Sequence, residues 1–144
     1  MTKRNKIIYW IATIWLSLGM LSTGVVQLLK LKGDGPGSLE SMTHLGYPVY
    51  FVTILGVCKI LGVVALLIPK FPLLKEWAYA GFFFMMSGAI FTHIAVGNSM
   101  NEIFPSLLLL ILVVISWYIR PADRKIPALP ADGNSVNQLN KSIA

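Results

Sequence analysis

The sequence predicts an all-α protein, a four-helix transmembrane bundle with both termini in the cytoplasm. Of its 144 residues, 56% are hydrophobic and only 12% are charged, whereas a soluble domain carries about 25% charged residues. Half the usual charge cannot cover a soluble surface, so the composition excludes a soluble enzyme, a disordered chain and a basic nucleic-acid module as first interpretations. The mean hydropathy of +0.70 and the long apolar runs indicate a protein that contacts the lipid bilayer and no nucleic acid.

Four apolar segments are long enough to cross a bilayer, for which about 20 residues suffice. Because backbone polar groups find no water in hydrocarbon, each segment is expected to be helical. The spans are predicted at residues 7–29, 49–68, 77–97 and 103–119. Residues 1–120 then form the membrane domain, and the polar residues 121–144 follow as a disordered cytoplasmic tail.

Prolines and an aromatic residue mark the ends of the spans. The second span begins after Pro48 and stops before Pro69, and the third begins at Trp77, whose ring suits the membrane interface. Pro105 stands in the first turn of the fourth span, where a missing N–H costs no hydrogen bond, and Pro121 follows its end. The loop between the first two spans, residues 30–48, is expected to hold a short helix capped by Ser38.

Positive charges outside the spans set the predicted orientation. Two lysines, Lys30 and Lys32, lie in the first loop, and the third loop has none. Cations favour the cytoplasmic side of a membrane, so both termini are predicted to be cytoplasmic. The cations on that side are nine: Lys3, Arg4, Lys6, Lys70, Lys75, Arg120, Arg124, Lys125 and Lys141.

Lys59 is the residue whose position most suggests a function. It lies ten positions into the second span, about 15 Å deep at a rise of 1.5 Å per residue, where a lysine costs about 2.5–3.5 kcal/mol. Gly56 and Gly62 lie three positions to either side and allow a neighbouring helix to pack closely. Lys59 is therefore expected to point into the bundle. Two interpretations stay open, a lysine that locks helix packing and a ligand-binding or catalytic group.

Other polar side chains are predicted at the outer depth of Lys59. Thr23 and Gln27 share one face of the first span, and His93 lies in the outer half of the third. We expect an outward-facing polar pocket with Lys59 as its floor and His93 and Gln27 at its sides. The alternative is a set of interhelical hydrogen bonds without a cavity, in which His93 is a packing residue.

External carboxylates supply the counter-charge that such a pocket needs. The Lys59 ammonium could reach toward Glu40 or Glu102, because a lysine stem is long. Gly88, beside His93, is predicted to be a packing glycine like Gly56 and Gly62. No ionisable group is expected in the inner half of the spans. The histidines and the single cysteine show no metal-ligand spacing, so no metal site is predicted.

Several segments together resemble the DoxX-like family of small four-helix bacterial membrane proteins. They are Leu45-Gly46-Tyr47-Pro48, the Gly56–Lys59–Gly62 helix, Pro69, the run from Lys75 to Phe82, Gly88-Ala89 and His93. The resemblance covers roughly residues 6–120. It implies a multi-pass protein of the bacterial plasma (inner) membrane, with some relatives linked to quinone-dependent redox complexes and others resembling membrane-protein assembly factors.

Three functions are therefore weighed. The leading hypothesis is a non-catalytic binding or accessory subunit whose pocket around Lys59 takes a small amphipathic ligand, possible candidates being a quinone or a lipid. The first alternative is a quinone-linked oxidoreductase component, with Lys59 as electrostatic stabiliser and His93 as proton carrier. The second is an assembly factor that acts through helix contacts with a membrane protein partner or with further copies of itself.

Overall fold

The computed structural model describes residues 2–127 and 133–143, and it confirms the all-α class. Four long helices are apolar enough to cross a membrane. A short helix, α2, precedes the second of them, and a last helix, α6, follows all four. The bounds are α1 Lys3–Leu28, α2 Leu39–His44, α3 Val49–Leu67, α4 Pro72–Val96, α5 Met100–Tyr118 and α6 Gly133–Ile143.

Three helices, α1, α4 and α5, begin earlier than hydropathy predicts, and α1 already starts at Lys3. Helix α4 starts at Pro72, because a proline in the first turn is already shaped for a helix, and the polar residues Lys75 and Glu76 therefore become helical. Helix α5 starts at Met100, which leaves Pro105 inside the helix rather than in its first turn. Helix α4 ends at Gly97, whose φ of +79° is a left-handed conformation that suits glycine.

The four long helices form a closed ring. Helix α1 packs on α3, α3 on α4, α4 on α5, and α5 again on α1. Close approach in this ring depends on glycines: a Cβ at Gly56 of α3 would lie 2.9 Å from the carbonyl oxygen of Gly24 in α1, and a Cβ at Gly62 would lie 2.5 Å from the Phe82 ring in α4. The structure thus gives Gly56 and Gly62 the packing role expected of them.

Apolar side chains fill one half of the ring. All four long helices contribute to this core, which is made of Leu16, Met20, Val63, Ala65, Leu66, Ala78, Tyr79, Phe82, Met86 and Val113. Because lipid tails are as apolar as these side chains, it is their close van der Waals packing that holds the helices together in a membrane. The other half of the ring, under α2, is not filled in this way.

The segment after Pro121 differs from the predicted disorder. A single 3-10 turn, Ala122–Arg124, lies against the bundle, and residues 133–143 form α6. Arg124 is only 9% exposed, and its guanidinium donates to the carbonyl oxygen of Leu66 at 3.0 Å. A polar composition predicts no core, but one buried guanidinium with a carbonyl acceptor is enough to hold this turn in place.

Candidate functional site

An open cavity of about 900 Å³ occupies the half of the ring that lies under α2. Helix α2 and all four long helices line it. The six residues predicted as a ligand site all lie on its wall: Thr23, Gln27, Glu40, Lys59, His93 and Glu102. The structure therefore brings together in one place side chains that are up to 79 positions apart in the sequence.

Lys59 lies at the α1–α3 contact and is 6% exposed. Its Nζ donates to the Thr23 hydroxyl at 3.1 Å, and that hydroxyl in turn donates to the carbonyl oxygen of Gly19 at 3.0 Å. The close approach of Gly24 and Gly56 sets this geometry, because a Cβ at Gly24 would lie 3.2 Å from the Lys59 Cβ. Gly24 is a positioning residue that sequence reasoning missed, although a glycine one residue from Thr23 was the available signal.

Gln27, one helical turn beyond Thr23, is 1% exposed. Its Nε2 makes only a weak contact of 3.8 Å with the Met42 sulfur of α2, and its Oε1 has no hydrogen-bond partner among the described residues. The loop before α2 packs closely on α1 at Thr23, since a Cβ at Gly37 would lie 3.2 Å from the Thr23 Cβ. Gln27 therefore presents an amide that the protein itself leaves largely unsatisfied.

The other predicted residues line the cavity without reaching Lys59. The Asn98 amide nitrogen lies 2.9 Å from His93 Nδ1. The Glu40 carboxylate accepts from the backbone N–H of Gly33. Within residues 2–127 and 133–143, no carboxylate forms an ion pair with Lys59, so the contact expected with Glu40 or Glu102 is not formed.

Gly88 also differs from its prediction. A Cβ at Gly88 would have no neighbouring atom within 4 Å, and the residue lines the cavity instead of meeting another helix. The missing side chain therefore widens the cavity, whereas Gly56 and Gly62 allow two helices to touch.

The end of the bundle opposite the cavity contains buried cations that the sequence did not predict. Lys75 is fully buried, and its Nζ donates to the carbonyl oxygens of Ala65 at 2.9 Å, of Leu66 at 3.1 Å and of Ile68. Together with Arg124, it caps the C-terminal end of α3, where carbonyl groups lack helical partners and favour cations. The proline that starts α4 before Lys75 was the one signal in the sequence for this burial.

An ion pair and a hydrogen-bonded chain complete that end. The Arg120 guanidinium pairs with Glu76, which also accepts from the Trp117 indole at 2.8 Å. The hydroxyl of Ser116 lies 2.7 Å from those of Thr13 and Tyr79. In the part of the chain that the structure describes, no three His, Cys, Asp or Glu residues lie close enough to hold a metal ion.

A ring of membrane-length helices around a cavity with a polar floor defines a small multi-pass membrane protein. The chain belongs to the DoxX-like family, whose model matches residues 11–116. The resemblance carried by the Gly56–Lys59–Gly62 helix and its neighbouring segments is thereby confirmed. Among curated proteins and among solved structures, none matches this chain.

Proposed function

We propose that this protein is a non-catalytic binding protein of the membrane, and that its cavity holds a small amphipathic molecule. One observation carries the proposal: Lys59 and Thr23, hydrogen-bonded to each other, form a polar floor in an open cavity, and Gln27 lies on its wall near α2. Groups that served only packing would be satisfied by the protein, whereas Lys59 has the Thr23 hydroxyl as its one acceptor among the described residues and the Gln27 Oε1 has no partner there. The cavity volume of about 900 Å³ falls in the range of small-molecule sites, about 300–1,000 Å³.

The walls of the cavity suit the apolar part of such a molecule. Between the polar floor and the rim lie Phe51, Leu55, Met85 and Leu109. The rim is polar and carries Asp34, Glu40 and Glu102, among other residues. A ligand would place its polar head on the floor and its apolar chain along these walls, where transfer from water is favourable by about 25 cal/mol per Å² of apolar surface.

The core below the floor favours binding over passage. Leu16, Met20 and Phe82 pack together in the core with exposures of 2% or less. Because this apolar packing separates the cavity from the opposite end of the bundle, a ligand would enter and leave by the same opening. Because the nine predicted cytoplasmic cations mark the other side, that opening would face the exterior.

The test is mass spectrometry of the small molecules that the protein retains on extraction from its own membrane. We expect one amphipathic species in about equimolar amount with the wild-type protein, and its loss in Lys59→Met. The matched control is Lys32→Met, which removes an exposed lysine that does not line the cavity and should retain the species.

Other outcomes identify the competing functions. A retained quinone that turns over with an electron donor would favour the oxidoreductase alternative. An assembly factor would retain nothing specific, would tolerate Lys59→Met, and would lose function when Gly56→Leu separates α1 from α3. An extract of wild-type protein with no retained molecule, from membranes of its native host, would contradict the binding proposal.

A further inference from the structure

The two buried lysines of this protein have very different surroundings. Lys75 has three carbonyl acceptors, which occupy all three N–H donors of an ammonium group. Lys59 has one acceptor, the Thr23 hydroxyl, which leaves two N–H donors for water or a ligand. The fold therefore provides acceptors for all three N–H donors of Lys75, whereas Lys59 in the cavity has a described protein acceptor for only one of its donors.

The charge of Lys59 is uncompensated as well. At the other end of the bundle, Arg120 pairs with Glu76, and Lys75 and Arg124 meet carbonyls at the negative end of the α3 dipole. Lys59 lies in the middle of α3, where no helix end offers a partial negative charge, and no described carboxylate pairs with it. An unpaired buried charge is costly, so neutralising the charge of Lys59 would contribute favourably to the free energy of binding a ligand.

Gln27 supplies a second polar group whose hydrogen-bonding capacity is largely unsatisfied. The amide is almost fully buried, lines the same cavity, and has one weak contact to sulfur and one unpartnered oxygen. A glutamine amide turns over by rotation about one bond, which exchanges its N–H₂ and C=O groups. With the amide turned in this way, its N–H₂ group could donate to an oxygen atom of a ligand in the cavity that Lys59 also lines.

We infer that the ligand has an oxyanion head group, a carboxylate or a phosphate monoester, on a single apolar chain. This inference rests on the proposed function and specifies its ligand. The oxyanion accepts from the Lys59 ammonium and the Gln27 amide, as charge-assisted hydrogen bonds that are about twice as strong as neutral ones. A ketone or an alcohol would accept a hydrogen bond from Lys59 but would leave its charge unneutralised.

The experiment compares four probes that share one chain: decanoate, decyl phosphate, decanol and decylamine. Each is titrated into the full-length protein in phosphatidylcholine nanodiscs, and bound probe is counted by native mass spectrometry. We expect at least one of the two anions to bind at least about tenfold more tightly than decanol. The anion that binds more tightly distinguishes a carboxylate ligand from a phosphate ligand. Decylamine should not bind.

Two variants test the assignment to Lys59 and Gln27. Lys59→Met should abolish the preference for anions. Gln27→Glu puts a carboxylate on the wall of the cavity that Lys59 lines, so like-charge repulsion should also abolish anion binding, and circular dichroism of the variant checks that it stays folded. Lys32→Met, the exposed control, should bind the anions like wild type.

The result that would overturn the inference is decanol binding as tightly as both anions, or Lys59→Met keeping the anion preference. A cavity-filling variant, Gly88→Leu, separates this failure from failure of the binding proposal. If decanol binds and Gly88→Leu blocks it, the cavity binds amphipathic molecules and only the oxyanion assignment is wrong. Four probes that all fail to bind would overturn the oxyanion assignment, while the extraction experiment decides the binding proposal separately.

Discussion

Replacing Lys75 with methionine should strongly destabilise the protein, although no ligand contacts this residue. Lys75 satisfies carbonyl groups that the chain cannot satisfy by itself. The helical donor to the Ala65 carbonyl would come from residue 69, which is proline and has no N–H. In Lys75→Met the carbonyls of Ala65 and Ile68 lose the one side-chain donor that the described residues give them, while Leu66 keeps Arg124.

The expected magnitude follows from these two carbonyls. A buried polar group left without a partner costs about 1–3 kcal/mol. This cost applies to the Ala65 carbonyl, because Ala65 is 5% exposed, and less to the carbonyl of Ile68, which is 36% exposed and can meet water. Removing the ammonium relieves part of the cost of burying a charge, and we expect a net loss of about 1–3 kcal/mol in the free energy of unfolding.

The assay is reversible unfolding in mixed micelles with increasing SDS, followed by far-UV circular dichroism. Lys70→Met is the matched control, since it removes an exposed lysine from the loop before α4, and should change the free energy by no more than about 0.5 kcal/mol. Lys75→Arg retains donors and should recover part of the loss. If Lys75→Met were as stable as Lys70→Met, the argument that this lysine caps α3 would be wrong.

Two further predictions concern the glycines and the orientation. Gly62→Ala should lower the free energy of unfolding by about 1–3 kcal/mol, because its Cβ would lie 2.5 Å from the Phe82 ring. Gly88→Ala should instead raise the free energy of unfolding by up to about 1 kcal/mol, since alanine favours a helix and its Cβ meets no atom within 4 Å. Equal effects of the two variants in SDS unfolding would contradict the packing described for α3 and α4. In a Cys58→Ser background, a membrane-impermeant maleimide added to intact cells should label Lys32→Cys and not Lys125→Cys, and the reverse pattern would show that the cavity opens to the cytoplasm.

Much of the candidate site could be predicted from the sequence, and the reason is the rarity of polar groups in membrane spans. Thr23, Gln27, Lys59 and His93 stood out because each interrupts an apolar run at a similar depth. Their common location in one cavity follows from helix direction and from a rise of 1.5 Å per residue. The pairing among them did not follow, since it depends on how each helix is rotated about its axis.

Lys75 shows the limit of the same reasoning. Hydropathy assigned it to a loop between two spans, because charged residues usually mark the ends of spans. Its burial depends on the path of the chain at Phe71, whose φ of +48° turns α4 back toward α3, and on the carbonyls left free there by Pro69. Neither the backbone angle nor the distance between the two helix ends can be read from residue order.

The sequence by itself determined that this is a membrane protein with four spans, because a bilayer requires long, contiguous apolar helices and contiguity is a property of the sequence. It also determined which side chains are too polar to face lipid. Only the tertiary structure decided that Gly88 opens a cavity while Gly62 closes a helix contact, and that Lys59 has no counter-ion among the described residues while Lys75 is fully satisfied. Those outcomes depend on distances of a few ångströms between helices, which arise only when the ring closes.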